Sequence, residues 1–323
     1  MTSINPVPVR HDGTRISGVG HYRPANVVTN SDLVARGVDT DDEWIRTRVG
    51  ITERRFADDD ETVVDMAVQA GNAAIAHSGV ATTDIDLVVA ATCTMPTPVP
   101  ACAPQLAYRL GIDAPGAFDV NSGCSGFMYA LNVASSAIQV GQARNVLVVA
   151  SERFSGWLDF NDRTTCIILG DGAGAVVISS SEEVGIGPVE WGSDGELFDA
   201  IAIDERTHTF RQEGQSVYRW ATSRMADVAL TACEKAGIKP EELAAFIPHQ
   251  ANLRIIESLA KRLGATKAVI ARDIVTSGNT SAATIPLALS RMVEAGEIPS
   301  GAPVLMLGFG SGLSYAGQVV LAP

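Results

Sequence analysis

The chain carries one layout twice. The first copy reads Arg109-Leu110-Gly111, a strand-like Phe118-Asp119-Val120, then Ser122-Gly123-Cys124; the second reads Arg262-Leu263-Gly264, Ala268-Val269-Ile270, then Ser277-Gly278-Asn279. A helical segment of small residues follows each, leading into an apolar run, Val146 to Ala150 or Val304 to Leu307. The runs begin 146 − 124 = 22 and 304 − 279 = 25 residues after the matched position. A duplicated fold can bring matched loop tips together at the junction of its halves. That would set a nucleophile-type cysteine against an amide donor in one site.

Length agrees with two halves, because 323 residues exceed the usual size of a single core. The chain is 46% hydrophobic and 19% charged, an ordinary globular profile. No apolar run approaches the ~20 residues a membrane span needs. Met1 to Arg10 lacks the apolar core of a signal peptide, so the expectation is a cytoplasmic protein. Five cysteines, an odd number without C-x-x-C spacing, argue against a disulfide framework and against a zinc site. A net charge of 24 − 37 = −13 speaks against a general nucleic-acid surface, and an acidic partner would need a local basic patch.

Short apolar runs alternate with helical patterns. Ile85 to Ala91, Val146 to Ala150, Ala173 to Ile178, Leu243 to Ile247 and Val304 to Leu307 read as buried strands. Thr62 to Ser78, Met225 to Ala236 and Ile255 to Leu263 read as helices. The pattern predicts an α/β protein with a mostly parallel sheet and helices around it. A glycine-rich, charged stretch, with a loop from Gly195 to Glu213, puts the boundary between halves near Ser180, giving residues 1–180 and 181–323.

Cys124 lies in Asn121-Ser122-Gly123-Cys124-Ser125-Gly126, between a strand and a helix. Glycines on both sides permit a sharp turn that pushes the side chain into a cleft, as in the nucleophile elbow of serine hydrolases. Unpaired N–H groups at a helix start favour thiolate and would lower its pKa from about 8.5. Cys93, Cys102, Cys166 and Cys233 read as packed core residues. His249, in Pro248-His249-Gln250-Ala251-Asn252, sits just past a strand's C-terminal end, where open α/β sheets bind ligands; it could equally be a loop histidine with a hydrogen bond. Asn279, in Ser277-Gly278-Asn279-Thr280-Ser281-Ala282-Ala283, either caps a helix or, as its match to Cys124 favours, donates to a substrate oxygen at any working pH. Gly308-Phe309-Gly310-Ser311-Gly312 is a turn that could bring a backbone N–H to a thiolate's oxyanion hole. Gly170-Asp171-Gly172 precedes a strand, not a helix, and reads as structural rather than dinucleotide-binding.

These motifs, together with Asp42-Glu43-Trp44-Ile45-Arg46-Thr47-Arg48-Val49-Gly50-Ile51, resemble the beta-ketoacyl-acyl-carrier-protein synthase III family of the thiolase superfamily, particularly its actinobacterial forms, over nearly the whole chain. The resemblance implies a five-layered αβαβα thiolase fold, a homodimer, and decarboxylative condensation of an acyl-CoA primer with malonyl-acyl-carrier protein, starting fatty-acid or polyketide synthesis without a cofactor. It implies a catalytic triad of Cys124, His249 and Asn279. It also implies an oxyanion hole from the N–H groups of Cys124 and Ser311, shielding by Phe309, and CoA contacts at Trp44, Arg48, Arg163 and Asn252. Trp44 and Arg48, four apart, share a helical face. Val99 falls where a bulky aromatic from the dimer partner often closes the acyl pocket, so larger primers are expected to fit. Arg254, Lys261 and Arg262 share a face of the helix after Asn252 and are expected to dock the acidic carrier protein. Two departures stand out: Gly195 to Gln212 is shorter than its counterpart, and Ser311 interrupts a usual run of three glycines. The alternative is a related acyltransferase that passes an acyl group to a hydroxyl or amine.

Overall fold

The computed structural model describes residues 13–323. Met1 to Arg10, read for a leader, lies outside the described residues. The first sheet opens with β1 (Gly13–Tyr22). A small cap follows, of β2 (Val27–Thr29), α1 (Asn30–Ala35), α2 (Asp42–Arg48) and β3 (Glu53–Arg55), gathered on Leu33, Ile45, Ile51 and Phe56. Helix α3 (Val63–Ser78) starts where sequence placed it. Thr62 Oγ1 accepts from the Asp65 N–H at 3.1 Å while the Asp65 carboxylate accepts from the Thr62 N–H at 2.7 Å, a reciprocal capping box. Left-handed Gly79, at φ 68, ends it.

Then come β4 (Leu87–Ala91), α4 (Cys102–Leu110), β5 (Gly116–Val120), α5 (Gly126–Gln139), β6 (Asn145–Arg153) and β7 (Asp171–Ser181). The second half repeats them. It has β8 (Glu190–Ser193), a hairpin of β9 (Ile201–Ile203) and β10 (Phe210–Gln212), and α6 (Gly214–Ala236). These lead to β11 (Ala245–Pro248), α7 (Leu253–Leu263), β12 (Val269–Ile270), α8 (Ile274–Ser277), α9 (Thr284–Glu294), β13 (Pro303–Gly310) and β14 (Ser314–Leu321).

The strand order is β1-β7-β6-β4-β5 in one five-stranded sheet and β8-β14-β13-β11-β12 in the other, one topology drawn twice. Neither sheet is mostly parallel, contrary to the expectation. β4 pairs parallel with β5 and β6, but β7 pairs antiparallel with β6 and β1, and the second sheet does the same. One reason is local: β13 and β14 are joined by a tight turn at Ser311–Leu313, too short for the crossover a parallel pair requires.

Side-chain alternation builds the layers. Val88, Ala90, Leu147 and Val149 face α3 and α4, while Val89, Ala91, Val146 and Val148 face α5 and α9. On the second sheet Ala245, Ile247, Val304 and Met306 face that same middle layer, and Phe246, Leu305 and Leu307 face α6 and α7. Strands buried on both faces must be apolar throughout, as these are. The result is the αβαβα order of the thiolase fold, with α5 and α9 between the sheets.

Two other expectations change. Helix α6 begins at Gly214 rather than Met225, because Trp220 and Ala221 continue its buried face among polar neighbours that mask the period. The stretch from Gly195 to Glu213 is not a plain loop but a helical turn at Gly195–Ala200 and the β9–β10 hairpin.

Candidate active site

The matched turns meet between the sheets. After β5, Gly123–Ser125 forms one 3-10 turn carrying Cys124, and α5 follows. Gly123 has φ 50, and a Cβ on it would lie 2.8 Å from Ser311 Cβ. From the other side, a Cβ on Gly310 would lie 3.0 Å from Cys124 Sγ and 2.6 Å from its Cβ. Two glycines therefore let the end of β13 close on the nucleophile. The backbone N–H groups of Cys124 and Ser311 act to lower the pKa of the thiol.

The thiol itself departs from expectation. Burial pushes Cys124 up to about 11, and Glu152 adds to the rise; the Ser281 hydroxyl and the two N–H groups only partly oppose it. In this dry position desolvation outweighs the donors that were expected to favour thiolate.

His249 follows β11 directly, its N–H donating to Leu307 O at 2.7 Å. Its Nδ1 is 2.8 Å from Thr284 Oγ1, whose hydroxyl also reaches Ser281 O at 2.9 Å, leaving Nε2 for a ligand. The Phe309 ring stands edge-on to the imidazole, centroids 5.3 Å apart. Burial pushes His249 down to about 3, so it is neutral at physiological pH.

Asn279 stands after left-handed Gly278 (φ 69). Its Oδ1 accepts from the Ser281 N–H at 2.8 Å, which leaves Nδ2 to donate. Its backbone is clamped on both sides, N–H to Ile168 O at 2.9 Å and O from the Gly170 N–H at 3.0 Å. Gly170-Asp171-Gly172 thus supports the asparagine, and Asp171, raised to about 6 by burial, accepts the N–H groups of Ala57 and Ser155. Cys124, His249, Asn279 and Phe309 all line one cavity of about 670 Å³.

The model of the family 3-oxoacyl-[acyl-carrier-protein] synthase III matches residues 118–195, and that of its C-terminal part matches 233–321. A beta-ketoacyl-[acyl-carrier-protein] synthase III of Streptomyces coelicolor is 53% identical over 97% of this chain and 100% of its own. One of Streptomyces avermitilis is likewise 53% identical, over 97% and 100%. Among solved structures, a priming beta-ketosynthase from the R1128 polyketide biosynthetic pathway superposes with a TM-score of 0.95 at 42% identity, covering 99% of this chain and 98% of that one.

The chain belongs to the synthase III family. As a member of that family it is a condensing acyltransferase.

Four of the other residues singled out from the sequence reach the cavity. Trp44, Arg48, Asn252 and Arg254 line it. Arg163 stacks over the Trp44 ring at 5.3 Å and donates to Asp39 O at 2.8 Å. Asn252 caps α7, accepting from the Arg254 N–H at 2.9 Å, and donates to Arg48 O at 3.2 Å. Arg254 stacks over Tyr218 at 5.5 Å. On α7, Lys261 is exposed, whereas Arg262 reaches back to α6, to Ser223 O at 3.1 Å and Asp227 at 3.5 Å. Val99 is 78% exposed and does not line the cavity of its own chain. Ser311 stands beside the cavity-lining Gly310, its Oγ donating to Ile201 O at 2.9 Å.

Sequence reasoning did not single out Ser281, Thr284 or Glu152. Ser281 and Thr284 stand two and five residues after Asn279, the range of an Asx turn and its helix start, so a signal existed. Glu152 carried no signal beyond one acid past an apolar run. Of the four cysteines read as core, Cys102, Cys166 and Cys233 are buried, but Cys93 is half-buried and bonded to Glu152 at 3.3 Å.

Proposed function

We propose that the enzyme joins an acyl-CoA primer to malonyl-acyl-carrier protein through an acyl-cysteine at Cys124. The observation that carries this is the meeting of Cys124, His249 and Asn279 in one cavity. Cys124 attacks the primer carbonyl, forming an acyl-enzyme and splitting one hard step into two. The N–H groups of Cys124 and Ser311, which favour the charged form of the thiol, hold the oxyanion. CoA leaves and the malonyl thioester enters. Loss of carbon dioxide leaves an enolate, and its oxygen accepts from the Nδ2 of Asn279 and from a neutral His249 in the tautomer that carries its proton on Nε2, Nδ1 then accepting from the Thr284 hydroxyl. Neutral donors suit this step because they hold the negative oxygen without surrendering a proton to the carbanion. The carbanion attacks the acyl-cysteine and Cys124 is released. Phe309 packs on the imidazole and shields the site.

Trp44 and Arg163 stack on or pair with the CoA nucleotide, with Arg48 and Asn252 beside them. The cations of α7 meet the carrier protein, Arg254 and Lys261 foremost, since Arg262 also ties α7 to α6. A homodimer belongs to the same reading: β5 is an open sheet edge with Phe118 exposed, and Val99 and Tyr108 project nearby in sequence, Val99 toward the partner's acyl pocket. With valine there, isobutyryl- and hexanoyl-CoA should serve as well as acetyl-CoA. Both thioesters are substrates, so the reaction needs no resident cofactor, and we place it in the cytoplasm. The test is radiolabelled acetyl-CoA incubated with malonyl-carrier protein. Release of carbon dioxide with label in a β-ketoacyl-carrier protein supports the reading. Label moving only to water, a hydroxyl or an amine overturns it.

A further inference from the structure

One residue reaches Cys124, Asn279 and, through Thr284, His249. Ser281 opens the short helical turn Ser281–Ala283 that follows Asn279. Its backbone N–H donates to Asn279 Oδ1 at 2.8 Å, which leaves Nδ2 free to donate. Its carbonyl oxygen is 2.9 Å from Thr284 Oγ1, the hydroxyl that meets His249 Nδ1 at 2.8 Å. Its own hydroxyl donates to Cys124 Sγ at 3.5 Å. Ser281 is fully buried and holds φ 51, left-handed backbone that non-glycine residues adopt uncommonly. Strain of this kind persists only where the surroundings hold it, and here the holders are the groups of the site itself. A buried hydroxyl also needs a partner. Two sulfurs lie within reach, Cys124 at 3.5 Å and Cys93 at 3.8 Å. Cys93 gives its S–H to the Glu152 carboxyl at 3.3 Å, so toward Ser281 its sulfur is an acceptor. The Ser281 proton therefore goes to a sulfur in either case. A thiolate draws it more strongly than a neutral thiol, because hydrogen bonds to charged groups are about twice as strong.

We infer that the Ser281 hydroxyl is a catalytic hydrogen-bond donor that holds the sulfur of Cys124 as thiolate for acylation, while the Ser281 backbone positions Asn279 for the step that follows. The role rests on Cys124 being the acylated residue. The hydroxyl keeps its proton throughout, and no bond is made or broken at it. It opposes the burial that pushes the thiol up. Once the sulfur is acylated and uncharged, Cys93 remains as an acceptor, so the hydroxyl is never left without a partner. The titratable groups facing it are Cys124, Cys93 from the loop after β4 with Glu152 behind it, and His249 beyond Thr284. Asp171 and Arg153, at neighbouring strand ends, are engaged elsewhere, Asp171 with the N–H groups of Ala57 and Ser155 and Arg153 with Asp58 O.

If the hydroxyl only filled space, its removal would harm both half-reactions alike. The experiment compares wild type with Ser281→Ala and Ser281→Gly. It measures single-turnover acylation by acetyl-CoA, alkylation of Cys124 by iodoacetamide, and condensation of the isolated acetyl-enzyme with malonyl-carrier protein. The thiolate absorbance of Cys124 is followed from about pH 6 to about pH 10, each protein read against its own Cys124→Ala version. Both variants should slow acylation and alkylation about tenfold or more at pH 7, the size of a hydrogen bond to a charged group. The onset of thiolate absorbance should move up by about one pH unit, the same tenfold. Condensation should fall a few-fold at most, because both variants keep the backbone that holds Asn279. The two variants should fall together, since glycine relieves the left-handed backbone but restores no hydroxyl. An unchanged thiolate onset overturns the proposal, as does condensation slowed as much as acylation, or wild-type acylation in Ser281→Gly. Should Ser281→Ala fail to fold, Ser281→Gly decides alone. A wild type that is alkylated but never acetylated overturns the acyl-enzyme reading instead, and the thiolate titration still judges Ser281.

Discussion

The two halves of the molecule share a frame and differ at its tips. Strand register makes the match exact to the residue: Leu87 pairs with Val146 in the first sheet, and Ala245 with Val304 in the second. Both strands are displaced by the same interval, 245 − 87 = 158 and 304 − 146 = 158. On that register His249 stands where the first half has Ala91, and Gly310 where it has Glu152. The turn glycines match too, Gly123 at φ 50 with Gly278 at φ 69, and so do the helix-ending Gly111 at φ 68 and Gly264 at φ 73. The frame therefore sets where a side chain can act, and the residue placed there sets what it does. The first half supplies the sulfur; the second supplies the glycine that lets its strand close on it and, in the proposed reaction, two neutral donors.

The sharpest break of this comparison is at the matched turns themselves. Cys124→Ala should abolish acyl-enzyme, read by protein mass after acetyl-CoA, whereas no change in the second half should do so completely. Next in size is Gly310→Ala. The backbone there, at φ 170, is extended and open to any residue, so only the space resists. A methyl 3.0 Å from Sγ should slow acylation about tenfold or more and lower the melting temperature by a few degrees, an overpacking cost of about 1–3 kcal/mol. Wild-type acylation in this variant would show that the two halves need not touch.

A smaller effect belongs to the surface of the second half. Lys261→Glu should raise KM for malonyl-carrier protein several-fold at low salt and little at high salt, with acetyl-CoA acylation unchanged. Arg262 is the poorer probe, because its reversal also cuts the tie to α6. The smallest effect concerns stability. His249 is held near 3 against an ordinary 6.5, so between those values the unfolded chain carries more protons. Its contribution is complete above about pH 6.5 and falls as the pH drops toward 3, at most ~1.4 kcal/mol per pH unit. His249→Gln should flatten the fall of melting temperature between pH 6.5 and 4.5; an unchanged slope would mean that the imidazole is not buried neutral.

Much of this was legible because it rests on local chemistry. The internal repeat exposed Cys124 and Asn279, glycines marked the turns, and apolar spacing between Thr62 and Ser78 marked α3. Relations that depend on distant strands were not. The antiparallel partners β1 and β7 pair across most of the first half, and nothing local encodes that choice. The raised Cys124 thiol had the same origin: a helix start can be read from residues, but the dryness of the site comes from β13 closing over it. Ser281 lay in view inside a quoted motif, yet its hydroxyl reaches Cys124 Sγ, 3.5 Å away, only where the two halves meet.

The central claim is that the first half supplies the acylated sulfur and the second half the two donors that decarboxylation needs. Asn279→Ala tests it most directly. The variant is incubated with radiolabelled acetyl-CoA, its mass is recorded, and malonyl-carrier protein labelled in its free carboxyl is added. The account predicts a stable acetyl group on Cys124 and release of labelled carbon dioxide slowed roughly a hundredfold or more. Failure of Asn279→Ala to acetylate, or carbon dioxide release at the wild-type rate, would contradict it.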